Sequence, residues 1–216
     1  MHKTIDAALE TAKRTTSSEE NPTPALGWQP TIDLSRDTTG TVAKMANEAA
    51  LMVAEMQAGR APRWLTISGT RGSGKTMIAR AIIEQARRIN PGNASLWYGP
   101  MRRPRCIWYN ETDFADAIRE HHRLPEYLSE DYLVVIDDLG TARERFDMVA
   151  DALYRLANAR LGAWTVWTTN LTHAEIDQRI DARLASRLIR DRNRCVKVTA
   201  RDYSLPTPKE TQQQTP

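Results

Sequence analysis

The chain has 216 residues, a formal net charge of +3 at pH 7 and only two cysteines. This length suits one α/β core rather than two full domains, and the sequence holds no run of about 20 apolar residues that could span a bilayer. Cys106 and Cys195 lie far apart without a CxxC motif, which excludes a disulfide framework and the usual zinc sites. We expect a cytoplasmic protein without membrane contact, and so small a charge permits nucleic-acid binding without requiring it.

The N-terminal part of the sequence predicts a leader followed by a helix. Residues 1–36 are expected to hold a short amphipathic helix at 3–14 and a polar linker, and they are a candidate partner-binding segment. The next segment, 37–59, carries apolar residues at helical spacing and ends at a glycine. We predict a helix there, at the start of a domain that spans residues 37–204.

Five short apolar runs follow, with helical patterns between them, at residues 64–68, 106–110, 132–136, 164–169 and 195–199. Strands that alternate with helices pair in parallel through right-handed crossovers, and helices then cover both faces of the sheet. The sequence therefore predicts an α/β fold with a five-stranded parallel sheet between helices. Residues 205–216 are rich in Pro and Gln without apolar periodicity, and we predict a disordered tail.

A phosphate-binding motif follows the first predicted strand directly. The stretch GTRGSGKT fits the pattern GxxxxGKT and runs into a helical segment, which is the context that this motif needs. Its backbone N–H groups and the helix N-terminus would bind phosphate, Lys75 would reach the β- and γ-phosphates, and Thr76 would ligate Mg²⁺. The alternative is a glycine-rich turn without a ligand. We predict an ATP site that contains Gly69, Thr70, Arg71, Gly72, Ser73, Gly74, Lys75 and Thr76.

Two further predicted strands end in polar residues. Asp137 and Asp138 follow the strand at 132–136, at the edge of the sheet where α/β folds bind their ligands. We assign Asp137 to the Mg²⁺ shell and Asp138 to the water that attacks ATP, with a helix N-cap or turn as the alternative. Asn170 follows the strand at 164–169, and its amide would sit between the γ-phosphate and this water if that strand lies between the other two. A turn asparagine is the alternative.

These motifs together resemble the AAA+ ATPases, and within them the DnaC/IstB-like branch of helicase loaders and transposase helpers. The resemblance rests on GTRGSGKT, on VVIDDLG where many AAA+ proteins carry Asp-Glu, on LANAR and on WTTNLT, and it covers about residues 39–203. It implies a P-loop AAA+ core without a sizeable C-terminal lid. It also implies an ATPase that is weak alone, is stimulated by assembly or DNA, and shares its ATP site between neighbouring copies.

The resemblance assigns two more residues to catalysis. Asn170 takes the role of sensor 1, and Arg187, in LASRL, matches the arginine finger that a neighbour inserts toward the γ-phosphate. Arg183 is the other candidate for the finger. The sequence departs from the family at residues 202–204, where Asp-Tyr-Ser stands in place of Ser-Tyr-Arg, and in its short leader.

Positive charge is concentrated in two segments. Four arginines have the spacing of one stripe on a helix, beside an apolar stripe of Ile180, Leu184 and Leu188: Arg179, Arg183, Arg187 and Arg190. A solvated helix face is the alternative to a finger. The second cluster consists of Arg102, Arg103 and Arg105 and lies close to aromatic residues. Arginines beside aromatic rings suit the binding of single-stranded nucleic acid, but they are also common in surface loops.

The function predicted from these observations is that of an ATPase in DNA replication, which loads a replicative helicase and acts on single-stranded DNA. The runner-up is a transposition helper that binds duplex DNA and activates a transposase. A small-molecule P-loop kinase and a module that holds ATP without turnover are the candidates from other classes. The asparagine of WTTNLT has no role in such a kinase, and hydrolysis separates the ATPase from the module.

Overall fold

A computed structural model describes residues 28–89, 97–98, 103–141, 147–190 and 192–203 of the chain. The helix predicted at 3–14 and the tail predicted at 205–216 lie outside the described residues. Within them, no helix has the length and apolar character needed to cross a membrane.

Helices and strands alternate along the described part of the chain. The helices are α1 Thr41–Gln57, α2 Lys75–Ala86, α3 Glu111–Glu120, α4 Leu124–Tyr127, α5 Asp147–Ala159, α6 His173–Arg179 and α7 Ala182–Leu188, and a 3₁₀ turn spans Leu128–Glu130. The strands are β1 Trp64–Gly69, β2 Trp97–Tyr98, β3 Arg103–Pro104, β4 Cys106–Asn110, β5 Leu133–Leu139, β6 Trp164–Thr169 and β7 Arg194–Val198. Each strand predicted from the sequence is present, and β2 and β3 form an additional antiparallel pair.

Five of these strands form one parallel sheet in the order β4-β5-β6-β1-β7. β6 therefore lies between β1, which precedes the phosphate motif, and β5, which carries the paired aspartates. This is the order that the assignment of Asn170 needs. The register of β5 against β6 shifts between Ile136 and Leu139. After β7 the described residues continue to Tyr203 without another helix, in agreement with the predicted core that lacks a sizeable lid.

Helices cover both faces of the sheet, as predicted. On one face α1 and α2 pack on the sheet through a cluster that includes Val42, Met45, Ile78 and Ile82. On the other face α3, α5 and α7 pack through a cluster that includes Phe114, Leu153 and Leu184. Val135 belongs to the first cluster and Val134 to the second, because successive side chains of a strand point to opposite faces.

The prediction of one helical stripe of arginines is wrong, because two helices cover this segment. α6 ends at Arg179, and Asp181 then accepts hydrogen bonds from the backbone N–H groups of Arg183 and Leu184 as the N-cap of α7. An N-cap carboxylate satisfies N–H groups that a helix start leaves open, so it favours a new helix at this point. Arg190 lies beyond the end of α7.

The last residue of LANAR, Arg160, has a structural role. Its guanidinium is fully buried and donates to the backbone oxygens of Leu128, Asp131 and Trp164. Burial lowers the pKa of Arg160 to about 10, although the nearby charge of Asp131 opposes this shift. This arginine connects α5 to the segment before β5. It lies at the edge of the sheet where β5 and β6 begin, whereas the phosphate motif follows the end of β1 at the opposite edge.

Candidate active site

The predicted phosphate motif forms the loop between β1 and α2. Gly72 and Gly74 have φ values of 65° and 88°, in the left-handed region that favours glycine. Gly74 is also the N-cap residue of α2, so the N-terminus of this helix adjoins the loop. A Cβ atom on Gly69 would lie 1.9 Å from the carbonyl oxygen of Val198, and no side chain fits there. Left-handed glycines before a helix N-terminus are the arrangement that binds phosphate.

Lys75, the first residue of α2, is 5% exposed, and three oxygen atoms surround its ammonium group. Nζ donates to the carbonyl oxygens of Gly69 and Thr70, at 3.0 and 2.7 Å, and to Oδ1 of Asn170 at 2.8 Å. Burial lowers the pKa of Lys75, and the negative charges of Asp138 and Asp137 oppose this shift. The phosphate loop and the end of β6 therefore meet at one ammonium group.

Asp137, on β5, is 4% exposed and accepts hydrogen bonds from two threonines. Oγ1 of Thr76 lies 3.2 and 3.1 Å from the two carboxylate oxygens, and Thr168 donates to one of them. Burial raises the pKa of Asp137, and the two hydroxyl donors oppose this rise. Thr76 and Asp137 together offer hard oxygen atoms of the kind that Mg²⁺ prefers, so the residues fit the predicted metal.

A cleft of about 590 Å³ opens at this edge of the sheet. This volume is within the range of small-molecule sites. Four of the predicted site residues lie outside its wall: Gly69, Thr70, Asp137 and Arg187. The lining residues are Arg71, Gly72, Ser73, Gly74, Lys75, Thr76, Met77, Arg80, Asp138, Thr141 and Asn170. The structure therefore brings together the phosphate loop, the predicted base and the predicted sensor.

Arg187, the predicted arginine finger, is not a lining residue of this cleft. It lies on α7, with its guanidinium 5.9 Å from the ring centre of Tyr154. Arg183 lies 4.2 Å from the same ring centre and forms a salt bridge of 2.8 Å with Asp181. Hydrogen bonds from Asn158 and Arg187 lower the pKa of Tyr154. The two arginines are thus neighbours on α7 that share Tyr154 as a partner, and Arg183 has Asp181 in addition.

The second basic cluster is described only in part. Arg102 lies outside the described residues, and of Arg103 only the backbone is described. Arg105 forms a salt bridge with the buried carboxylate of Asp131. This ion pair gives Arg105 a structural role before β4. The predicted contact of this cluster with single-stranded nucleic acid stays a prediction.

Sequence reasoning misses three residues around the cleft. Arg80 lies one turn of α2 after Thr76 and lines the cleft, with its guanidinium 5.6 Å from the ring centre of Trp108. Its helical spacing from Thr76 is a sequence signal that could have identified it. Thr168 is a polar residue inside an apolar strand, which is a second usable signal. Asp202 reaches the phosphate loop from the far end of the domain, and nothing in the local sequence indicates this contact.

Asp202 lies against Gly72 of the phosphate loop. A Cβ atom on Gly72 would meet Oδ1 of Asp202 at 1.6 Å, and the next residue, Tyr203, donates its backbone N–H to the carbonyl oxygen of Gly72 at 3.0 Å. Arg36 also donates to the carbonyl oxygen of Tyr203, at 3.4 Å. This places a carboxylate beside a loop of the kind that binds anions, at the point where the sequence departs from the Ser-Tyr-Arg of the family that it resembles.

Asp202→Asn is expected to tighten nucleotide binding by roughly two- to fivefold at low salt, because a neighbouring negative charge opposes phosphate binding. The measurement is the dissociation constant for Mg²⁺-ATP at low and high salt. Asp116→Asn is the matched control, since Asp116 is an exposed carboxylate on α3 that pairs with Arg119. Equal affinities of the Asp202→Asn variant and the unmodified chain at low salt would contradict this prediction.

Comparisons with known proteins show which solved structures have a similar fold. Neither a family model nor a curated protein matches the sequence. Among solved structures, the DnaC helicase loader is 17% identical with a TM-score of 0.54, and the match covers 72% of this chain and 90% of that one. DnaI is 19% identical with a TM-score of 0.57, at 79% and 87% coverage. The replication initiator DnaA, bound to AMPPCP and single-stranded DNA, is 20% identical with a TM-score of 0.52, and this chain spans 45% of it.

These likenesses define the class of protein by its fold. The chain has the P-loop fold of the AAA+ ATPases, with the five-stranded parallel sheet predicted from its sequence. Of the solved structures named here, one is a helicase loader, the type of protein to which the sequence motifs pointed, and another is a replication initiator.

Proposed function

We propose that this chain binds and hydrolyses ATP with Mg²⁺, and that it acts in DNA replication as a DnaC-like helicase loader. It would assemble side by side with copies of itself on single-stranded DNA and on a replicative helicase. The observation that carries the ATPase is the convergence of Lys75, Asp138 and Asn170 on one cleft, next to the Thr76 and Asp137 pair.

Each of these residues has a role that its position supports. Lys75 would exchange its present oxygen partners for the phosphates of ATP, and Asn170 would orient the attacking water beside it. Asp138, on the cleft wall, would accept a proton from that water. Thr76 and Asp137 would hold Mg²⁺, which when bound neutralises charge on the β- and γ-phosphates.

The position of Arg187 supports a site that two copies share. Arg71 and Arg80 line the cleft from the phosphate loop and α2, but no described arginine of α7 lines it. Arg187 would therefore act as a finger at the γ-phosphate of a neighbouring copy, where it adds positive charge in the transition state. Hydrolysis would then depend on assembly, in line with weak activity of the isolated chain.

The structural likeness to a helicase loader supports this role. The TM-score is 0.54 with the DnaC helicase loader and 0.57 with DnaI. The replication role, the helicase partner and the single-stranded DNA rest on these likenesses and on the sequence motifs.

The ATP site is tested first by nucleotide binding. The chain is expected to bind Mg²⁺-ATP, and Lys75→Ala is expected to weaken this binding by about 100-fold or more, because a charge-assisted contact to phosphate is lost. Lys44→Ala, which removes an exposed lysine of α1, is the control and should bind normally. Failure of the unmodified chain to bind Mg²⁺-ATP would contradict the proposed function.

The helicase partner is tested by capture. The full chain is immobilised with ATP and single-stranded DNA, and the proteins retained from the cognate cell extract are identified by mass spectrometry. Retention of a hexameric replicative helicase supports a loader, particularly if Leu9→Asp abolishes it and Thr11→Asp does not. Retention of a transposase instead would favour the transposition helper, and retention of neither would contradict the loader.

A further inference from the structure

The strand that carries the two aspartates is bulged at the cleft. Ile136 pairs with Trp167, but the next pair is Leu139 with Thr169, so three steps along β5 face two steps along β6. A bulge places one extra residue on a strand, interrupts the ladder and re-aims a side chain, and bulges are frequent next to active sites. The extra residue lies within residues 137–138, the positions assigned to metal and water.

Asp138 has an unusual backbone conformation in this bulge. Its φ of 55° makes it the one residue other than glycine with positive φ in the part of the chain that the structure describes. L-residues seldom adopt this region, and they stay there only when surrounding contacts hold them. The direction of the Asp138 side chain into the cleft therefore depends on whatever fixes the bulge.

Three side chains form hydrogen bonds with the backbone where the ladder between β5 and β6 is interrupted. Thr168 accepts the backbone N–H of Asp138 at 2.9 Å, and Thr169 donates to the carbonyl oxygen of Leu139 at 2.6 Å. The carboxylate of Glu111, which is 1% exposed, accepts the backbone N–H of Gly140 at 3.0 Å. These bonds hold the bulge on both sides of the extra residue.

Thr168 is the member of this set that contacts both aspartates. Its side chain is fully buried, it accepts from the backbone of Asp138, and it donates its hydroxyl proton to the carboxylate of Asp137. A hydroxyl has one proton to give and lone pairs to receive, so these two bonds together fix its orientation. The hydroxyl of Thr168 thereby links the carboxylate of Asp137, which is assigned to the metal, to the backbone of Asp138, which is assigned to the water.

We propose that Thr168 is the positioning residue of this site: its hydroxyl holds the bulge that aims Asp138 at the attacking water, and aligns it with Asp137. The proposal rests on the proposed function, since it specifies how the base of that ATPase is oriented. Thr168 touches neither ATP nor water in this role and acts through Asp138.

Thr168→Val, which keeps the shape of the side chain and removes both hydrogen bonds, is expected to lower kcat by about 10- to 100-fold, because a small misplacement of a reacting group can cost that much. The KM for ATP should stay within about threefold, as no phosphate contact is lost. Thr168→Ser retains the hydroxyl and should restore most of kcat. Thr165→Val is the matched control with near-normal kcat, because it removes another fully buried hydroxyl of β6, which donates to Ala163 and accepts from Arg160 away from the cleft.

A double-mutant cycle separates positioning from a merely structural loss. If Thr168 acts through Asp138, Thr168→Val should have little further effect in an Asp138→Asn background, so the two changes are far from additive. Hydrogen exchange of the backbone amides at residues 138–140 gives a readout without catalysis, and it should accelerate in Thr168→Val but not in Thr165→Val. If Thr168→Val does not fold, Thr168→Ala replaces it in each comparison.

Several results would overturn the proposal. These are a Thr168→Val enzyme with normal kcat, a Thr168→Ser enzyme no better than the valine variant, or additive effects of Thr168→Val and Asp138→Asn. A chain that hydrolyses no ATP contradicts instead the proposed function, and a chain that is as active with Asp138→Asn as without it contradicts the role of Asp138 as the base. The two failures are therefore distinguishable in the same set of variants.

Discussion

Arg187→Ala is expected to lower the rate of ATP hydrolysis in the assembled protein by about 10³- to 10⁵-fold, the range found when an arginine finger is lost. The physical reason is that positive charge at the γ-phosphate stabilises the transition state more than bound ATP. The affinity for Mg²⁺-ATP should therefore change little. The measurement is phosphate release at high protein concentration with single-stranded DNA, alongside equilibrium binding of ATP.

Arg183→Ala is the matched control for this prediction. Arg183 forms a salt bridge with Asp181 and lies over the ring of Tyr154 at 4.2 Å, so its guanidinium already has partners within its own copy. Arg187 lies on the same helix, hydrogen-bonds Tyr154 with its guanidinium 5.9 Å from the ring centre, and is the residue that the resemblance assigns as the finger. We expect hydrolysis to depend on Arg187 much more than on Arg183, and the reverse order would assign the finger to Arg183.

Mixing two inactive variants tests whether the arginine acts on a neighbouring copy. Arg187→Ala protein keeps an intact cleft, and Lys75→Ala protein keeps an intact Arg187. If the site is shared, mixed assemblies contain some junctions with both, and part of the activity should return. Absence of recovery at every mixing ratio would contradict a site shared between copies.

Asp138→Asn is expected to lower hydrolysis by about 10²- to 10⁴-fold, the usual contribution of a positioned general base. An amide has nearly the same shape as a carboxylate but cannot accept the proton of the attacking water. Binding of Mg²⁺-ATP should remain, because Asp138 is assigned to the water and not to the phosphates. Single-turnover hydrolysis and ATP binding, measured on the same sample, separate the two effects.

Glu84→Gln is a suitable control for Asp138→Asn, since Glu84 is an exposed carboxylate on α2 that pairs with Arg87. It removes one negative charge from the helix that follows the phosphate loop without touching the cleft wall. Hydrolysis at the normal rate by Asp138→Asn, tested with DNA and at high concentration, would show that another group accepts the proton.

Much of the fold could be predicted because its information is local. A buried parallel strand is a short apolar run in the sequence. A polar residue directly after such a run, such as Asp137 or Asn170, indicates the edge of the sheet where ligands bind. The phosphate motif is equally local, since strand, glycines, lysine and helix follow one another within a few residues. The alternation of these patterns with helices was enough to predict the sheet, but the strand order that puts Asn170 beside Lys75 is given by the structure.

The remaining features depend on contacts between distant residues. The left-handed conformation of Asp138 is held by Thr168, 30 positions away, and by Glu111 through the neighbouring Gly140. The contact of Asp202 with Gly72 follows from the path of the chain after β7. The break between α6 and α7 had a local signal in the N-cap Asp181, but the regular arginine spacing favoured one continuous helix.

The position of β1 in the sheet also determines when the site can form during synthesis. β1 pairs with β6 on one side and β7 on the other, and Thr70 of the phosphate loop bonds to Ala200, 130 positions later in the chain. Pairings between such distant segments close slowly. A ribosome must therefore release nearly the whole domain before the phosphate loop has these neighbours, so we expect the proposed ATP site to be incomplete in a growing or prematurely ended chain that already carries GTRGSGKT.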